Sequence, residues 1–324
     1  MDAHELLTRS TAEVVTDEEL AAIAADPEGK RAYVGYEPSG VLHIGHLLTA
    51  NKLLDLQEAG MEVVVLLADV HAYLNGKGTF EAIRETAARM QEQFLAYGLD
   101  PARTEFVYGS SYQLEEDYLL DLLALATETS LNRAQRAMAE LQHDETASVS
   151  HVVYPLMQAL DIEYLDLDLA VGGMDQRKVH MLAREVLPSL GYDARPCIHT
   201  PILADLTTGE GKMSSSAGVP ISLADDSTDL AEKVQSAFCP PTREPEDGRE
   251  HPVLELFEYH VFPRTGSVTV ERPAEYGGDV SYSDYESLAE ALDAGELHPA
   301  DAKSALAAEL DALLEPGRRA LEGQ

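Results

Sequence analysis

The sequence predicts an α/β fold: a parallel sheet threaded by helices, a helical insertion, and a mostly helical C-terminal domain. Three observations carry this. A strand-like run at 33–36 turns through Pro38, Ser39 and Gly40 into a helix-like run at 47–59, closed by Gly60, and an apolar run at 63–68 follows; that is a strand–helix–strand unit. The pattern returns at 165–184, where an alternating run meets Gly172-Gly173 and a helix-like stretch opens at Met174. From 221 onward the character changes to short helices, with Pro240-Pro241 and a charged loop at 244–250.

A chain of 324 residues suits two domains, or one large domain with an appendage, and is ample for a core. Residues 1–19 are polar and acidic, unlike a secretory leader, and no apolar run approaches membrane-spanning length. Cys197 and Cys239 are the only cysteines, which argues against a disulfide framework and a cysteine-rich zinc site. These features place the protein in a reducing cytoplasm. The formal net charge of -35 is dispersed through Asp17-Glu18-Glu19, Glu115-Glu116-Asp117 and Asp225-Asp226. Such a charge repels nucleic acid in dilute salt. It suits concentrated salt, where the screening length is about 3 Å at 1 M; an acidic face for a basic partner is the alternative. Local cations must then make any phosphate contacts, and Lys178 and Lys212 both fall inside motifs.

Taken in order, residues 1–30 read as one or two amphipathic helices, with Thr16 as N-cap and Glu19 completing a capping box. In the strand–helix–strand unit His43 and His46 are three apart and share a face of the first helical turn. Unpaired backbone N–H groups and the helix dipole favour phosphate there; the imidazoles add donors, and Gly45 lets a flat ligand approach the backbone. Tyr33, Gly35 and Glu37 share one face of the first strand, and Tyr33 serves either a ligand or the core. The second strand runs on to His71, beyond a strand C-terminus where open α/β sheets bind ligands. A helix over 80–97 and a strand over 104–108 follow. The block 115–142 is helical and rich in leucine (Leu119, Leu120, Leu122, Leu123, Leu125, Leu131), and carries Arg133 and Arg136. Its apolar excess packs on the domain or forms a dimer seam.

Residues 152–164 read as a helix with Pro155 in its first turn and Tyr154, Gln158 and Asp161 on one face. Apolar neighbours make that helix buried, and a polar stripe on a buried helix needs partners, protein or ligand. Gln176, Arg177 and Lys178 open the helix after Gly172-Gly173. No Walker motif exists, because Met213 follows Gly211-Lys212. Residues 207–220 have loop composition: small residues allow movement, Lys212 offers one point charge to a phosphate, and a plain linker is equally compatible. Further on, a short strand is expected at 267–271 and helices at 285–294 and 299–314. Tyr276, His298 and Asp301 suit stacking on and hydrogen-bonding an unstacked base, or ordinary structure.

His43-Ile44-Gly45-His46 resembles the first signature of class I aminoacyl-tRNA synthetases, and Lys212-Met213-Ser214-Ser215-Ser216 resembles the second, the lysine loop. With Leu66 to Leu74, Tyr154 to Gln158, Val171 to Lys178 and Glu296-Leu297-His298-Pro299, the chain is similar over nearly all its length to the tyrosyl-tRNA synthetases of the archaeal–eukaryotic type. The resemblance implies a Rossmann-like catalytic domain over 1–206 with a helical insertion around 112–150, a lysine-loop linker over 207–232 and an anticodon-binding domain over 233–324. It implies that Tyr33 and Asp161 bind a phenol hydroxyl, and that Tyr154, Gln158 and Gln176 hold an ammonium, with Gly35 and His71 also lining the amino-acid site. His43, His46 and Lys212 would be catalytic, and with Gly45, Met213 and Ser214 would bind ATP. Arg177 and Lys178 would meet the tRNA acceptor stem, and Tyr276, His298 and Asp301 the anticodon. ATP as substrate, Mg²⁺, L-tyrosine, tRNA(Tyr) and a homodimer follow from the same likeness, with no resident metal ligands. One departure is Ser215, where the class often has a second lysine. A tryptophanyl-tRNA synthetase is the nearest alternative, against which the Tyr33 and Asp161 pair argues.

Overall fold

The computed structural model describes residues 1–139, 148–213, 220–245 and 247–322. The chain packs as two compact units, one of Met1–Gly40 with Lys52–Pro201, the other of Val41–Asn51 with Ile202–Gln324. Along the first run α1 (Ala3–Thr8), β1 (Glu13–Val15), α2 (Asp17–Ala25) and β2 (Arg31–Tyr36); then α3 (Ile44–Glu58), β3 (Glu62–Leu67), α4 (Asp69–Leu74), α5 (Phe80–Tyr97) and β4 (Thr104–Tyr108). Next come α6 (Glu116–Glu128), α7 (Leu131–Met138), α8 (Ser150–Tyr164), β5 (Leu169–Gly173), α9 (Arg177–Val186) and β6 (Cys197–Thr200). The α3 residues up to Asn51 group with the second unit and those from Lys52 with the first.

The sheet of the first unit has the order β1-β6-β5-β2-β3-β4. All neighbours are parallel except β1, which pairs antiparallel with β6 as an edge. β2 leads outward through β3 to β4, and the chain then returns to lay β5 and β6 on the other side. The switch point lies between β2 and β5, the place where such sheets hold ligands. β2 and β3 are nearly continuous apolar runs because both faces are covered. Ile83, Ala87, Met90 and Phe94 of α5 recur at helical spacing and are its buried stripe.

Several expectations are corrected. The first 30 residues hold a strand, β1, between two helices; three residues are too few to show alternation. The capping box at Thr16 and Glu19 is present. β3 stops at Leu67, so His71 stands on the helix α4 and not at a strand end. α8 begins at Ser150, which puts Pro155 inside the helix beyond its first turn. β5 begins at Leu169 because the Leu165 N–H still bonds to the Asp161 carbonyl and Asp166, at φ 51°, makes the turn. β6 was not expected at all.

In the second unit lie α10 (Ser227–Ser236), α11 (Pro252–Leu256), a π-helical turn (Phe257–Val261), α12 (Phe262–Thr265), the hairpin β7 (Val268–Val270) with β8 (Val280–Tyr282), α13 (Tyr285–Asp293) and α14 (Pro299–Glu322). α14 runs through Pro316, beyond the expected end at 314. Among the described residues no helix is long and apolar enough to cross a membrane.

Candidate active site

In the first unit the polar stripe of α8 faces inward. Asp161 is fully buried. Its Oδ1 accepts three hydrogen bonds: from the Tyr112 hydroxyl at 2.8 Å, the Gln113 Nε2 at 2.8 Å and the Tyr118 hydroxyl at 2.9 Å. Its Oδ2 has no hydrogen-bond partner. The nearest cationic candidate, His71 Nε2, is 3.9 Å away. A carboxylate with one oxygen saturated and the other bare, in a dry place, is an acceptor awaiting a donor. Burial raises the Asp161 pKa, while His71 and the three donors pull it down.

Tyr33 is buried on β2. Burial first, then the Asp161 charge, pushes its phenol above the ordinary range, so it is a neutral donor. Gly35, two residues on, is exposed although it sits in a central strand, and a Cβ there would only touch Leu66 and Tyr33 at 3.7 Å. An exposed position in the middle of a covered sheet marks an open crevice. Gln158 Nε2 donates to Gln176 Oε1 at 3.0 Å, and Gln158 Oε1 is buried without a partner. The Tyr154 hydroxyl donates to Glu37 at 2.8 Å, and the His71 ring meets Tyr154 edge-on at 4.5 Å. Asn75 also donates to Glu37, at 2.5 Å.

Sequence reasoning proposes Tyr33, Gly35, His71, Tyr154, Gln158, Asp161 and Gln176 for an amino-acid site, and all of them lie in one unit. It missed Tyr112, Gln113, Tyr118 and Glu37 as contributors. The available signal was position: Tyr112 and Gln113 follow the C-terminus of the parallel strand β4. Gly109 makes their approach possible, since a Cβ there would fall 2.5 Å from Gln113 Oε1.

In the second unit the segment around His43 is stitched to the stretch after the lysine loop. Ile44 N–H donates to the Ile221 carbonyl at 2.9 Å, Leu223 N–H to the Leu42 carbonyl at 2.8 Å, and His43 bridges Ser222. The His43 and His46 ring centroids lie 3.8 Å apart, with the planes tilted by 34°. Each Nδ1 accepts a backbone N–H, from Gly45 at 3.2 Å and from His43 at 3.4 Å, which leaves the proton on each Nε2. Burial, then the charge of Lys212, lowers the His43 pKa to about 4. Burial, then His43 and Lys212, lowers that of His46 to about 3. The pair is thus a pair of neutral Nε2–H donors within the field of the Lys212 ammonium.

The expectation of unpaired N–H groups in that turn is corrected. Ile44, Gly45 and His46 donate to Ile221, His43 Nδ1 and the His43 carbonyl. What remains for an anion is the imidazole donors and the dipole. Gly45 also has a tighter role than expected, because a Cβ would come within 3.1 Å of the folded-back His43 ring. Lys212 is exposed, while Met213 is buried with its N–H on the Leu203 carbonyl at 2.8 Å. Ser214 lies outside the described residues. At the base of the loop Gly209 has φ +68°, and a Cβ would strike the Glu250 carbonyl at 2.6 Å.

The remaining sequence candidates are placed as follows. Arg177 Nε donates to Glu13 at 2.7 Å, and Lys178 is partly exposed in the first turn of α9. His298 is exposed, and its Nδ1 accepts the Ala300 N–H at 3.1 Å, so it caps α14. Asp301 is partly exposed in that helix's first turn. Tyr276 ends a short 3₁₀ turn, and its side chain lies outside the description. Among the described residues no group of three or more His, Cys, Asp or Glu is arranged to hold a metal.

Residues 28–315 match the family model described as tRNA synthetases class I (W and Y). A protein of Halobacterium salinarum named tyrosine--tRNA ligase is 71% identical over 321 residues, covering 99% of this chain and 98% of its own. One of the same name from Halorubrum lacusprofundi is 64% identical over 326 residues, covering 99% of each. Among solved structures, tyrosyl-tRNA synthetase of Archaeoglobus fulgidus complexed with L-tyrosine superposes with a TM-score of 0.93 at 52% identity, covering 98% of both chains.

Proposed function

The chain belongs to the class I tRNA synthetases of the tryptophan and tyrosine family, and on that premise we propose that it is a tyrosine–tRNA ligase. It activates tyrosine with ATP to tyrosyl-adenylate and then transfers the tyrosyl group to tRNA(Tyr). The observation that carries the choice of amino acid is the bare Oδ2 of buried Asp161 in the same unit as the neutral phenol of Tyr33. A phenol hydroxyl donates to Asp161 and accepts from Tyr33. A site built to hydrogen-bond a hydroxyl rejects the analogue lacking it, because its own polar groups are left unpaired; tyrosyl-tRNA synthetase is itself the standard instance of that rule. An indole offers a donor but no matching acceptor, which disfavours the tryptophan alternative.

Gln158, Gln176 and Tyr154 orient the substrate ammonium, and the Glu37 carboxylate behind Tyr154 supplies the balancing charge. Gly35 leaves room for the ligand, and His71 braces Asp161 and Tyr154. His43 and His46 donate from Nε2 to ATP phosphates, and Lys212 neutralises the charge that develops as pyrophosphate leaves; Gly45, Met213 and Ser214 complete the nucleotide subsite. Tyrosine's carboxylate attacks the α-phosphate, and a terminal ribose hydroxyl of the tRNA then attacks the tyrosyl carbonyl. Neither step needs a covalent enzyme intermediate, so positioning and electrostatics supply the catalysis. Mg²⁺ bound with ATP would share the phosphate charge.

Arg177 and Lys178 serve the acceptor stem, and Tyr276, His298 and Asp301 the anticodon, in an anticodon-binding domain over 233–324 beyond a linker at 207–232. The enzyme works in the cytoplasm as a homodimer. Pyrophosphate exchange in concentrated potassium chloride tests the activity: exchange is expected with tyrosine and not with tryptophan or phenylalanine. Exchange driven by tryptophan would overturn the assignment.

A further inference from the structure

Glu13, His199, His180 and Arg177 form a closed polar circuit in the first unit. Glu13 on β1 faces His199 directly across the antiparallel pair with β6. Its Oε2 is 2.7 Å from Arg177 Nε, and 3.1 Å from His199 Nδ1 in a close polar contact that falls short of hydrogen-bond geometry. His199 Nε2 is 3.0 Å from His180 Nδ1. His180 and Arg177 are three apart on α9, so the helix itself closes the ring.

The charge on Glu13 sets the direction of every proton in it. Arg177, foremost, holds the Glu13 pKa down, so the carboxylate only accepts. A carboxylate 3.1 Å away favours the proton on His199 Nδ1, and with that tautomer Nε2 accepts from His180 Nδ1. Both imidazoles are buried and burial lowers both pKa values, that of His180 to about 3. The ring also grips the strand beneath. A Cβ at Gly172 would come 3.2 Å from His180 Cε1 and 2.9 Å from Gln176 Cβ, so helix and strand are in direct contact here. Gln176 stands at the mouth of α9, immediately before Arg177.

We propose that Glu13, His199 and His180 are positioning residues for the amino-acid subsite: their circuit fixes the first turn of α9, and with it the Gln176 carboxamide that meets the substrate ammonium. This rests on the ammonium role given to Gln176 above. None of the three touches substrate, so the proposal demands an effect specific to one group of the ligand.

The test compares the affinities of tyrosine and desaminotyrosine in the parent, Gln176→Ala, His180→Leu, His180→Asn and Glu13→Gln chains, each checked for a parental melting temperature. Loss of the ammonium costs the parent affinity, and that penalty collapses in Gln176→Ala. In His180→Leu and Glu13→Gln the penalty shrinks by about tenfold, while desaminotyrosine binding changes by no more than about twofold. His180→Asn, which keeps a donor near the Nδ1 position, retains most of it. A full penalty in both His180→Leu and Glu13→Gln, with Gln176→Ala behaving as described, overturns the circuit alone. A full penalty in Gln176→Ala overturns the subsite reading beneath it. Should His180→Leu not fold, Glu13→Gln decides, since it removes the orienting charge without removing bulk.

Discussion

At the scale of single residues, selectivity concentrates on Asp161. Its two oxygens do different work: Oδ1 is consumed by Tyr112, Gln113 and Tyr118, and Oδ2 is bare. An Asp161→Asn chain keeps the shape and an oxygen for the three internal donors, but loses the charged acceptor. A hydrogen bond to a charged group contributes about 1.5–3 kcal/mol. Preference for tyrosine over phenylalanine in pyrophosphate exchange should therefore fall by one to two orders of magnitude, roughly, with the Michaelis constant for ATP nearly unchanged. Unaltered selectivity in a folded variant would remove Asp161 from the recognition of the hydroxyl. The sequence made Asp161 legible because a carboxylate among Leu160 and Ile162 on a helix demands partners. For Tyr112 and Gln113 the sequence offered only their place after β4, and what joins them and Tyr118 to Asp161 is the lateral placement of β4 in the sheet and of α6 beside α8. Spacing along the chain carries no trace of that.

Elements were legible where their period was long enough to read. β2, β3, α5 and α8 announce themselves by apolar runs or by recurrence at helical spacing. β1, β6 and β8 have three or four residues each, too few for alternation to be read, and β1 is recognisable only through its pairing with β6. The leucine-rich stretch reads from sequence as helical with two destinations open, packing on the domain or a dimer seam, and the structure shows the first. Leu125 of α6 is buried in the core, whereas Leu119, Leu120 and Leu123 are 42%, 56% and 65% exposed. Three exposed leucines within five residues of one helix form an apolar strip of the kind that marks an interface. With the proposed homodimer seated there, Leu120→Glu with Leu123→Glu should yield monomers by light scattering while leaving the far-ultraviolet circular dichroism intact. A doubly substituted chain that remains dimeric would move the seam elsewhere.

For the whole molecule the governing quantity is charge. At -35 the surface repels itself, and that repulsion relaxes on acidification as carboxylates take up protons. Histidines that the fold shields, wholly or in part, act in the opposite sense. Burial holds His43 at about 4 and His46, His180 and His260 at about 3, against 6.5 when exposed. Below about pH 6.5 the unfolded chain binds protons that these four imidazoles refuse, so each contributes stability above that pH and loses it as pH falls towards its folded value. The loss is about 1.4 kcal/mol per pH unit for His180 and His260, which are buried outright, and smaller for the partly exposed His43 and His46. Asp161, Glu163, Glu255, Glu258 and Glu309 oppose this, since burial raises all five, Glu255 to about 7, while carboxyls held low, such as Glu13 by Arg177, act with the histidines. Surface repulsion obscures these opposing contributions in dilute salt. Potassium chloride above about 1 M shortens the screening length to roughly 3 Å and removes that contribution, leaving the buried groups exposed to measurement. The melting temperature in such salt should stay level above about pH 6.5 and decline below it. His260, whose Nδ1 meets Asn51 at 3.1 Å, supplies the control. His260→Gln takes one refused proton out of the balance, so its melting curve must fall less steeply with acid than the parent's. A melting temperature that rises from about pH 6.5 to about pH 5 in molar salt would mean that the interior imidazoles do not set the acid limit of this fold.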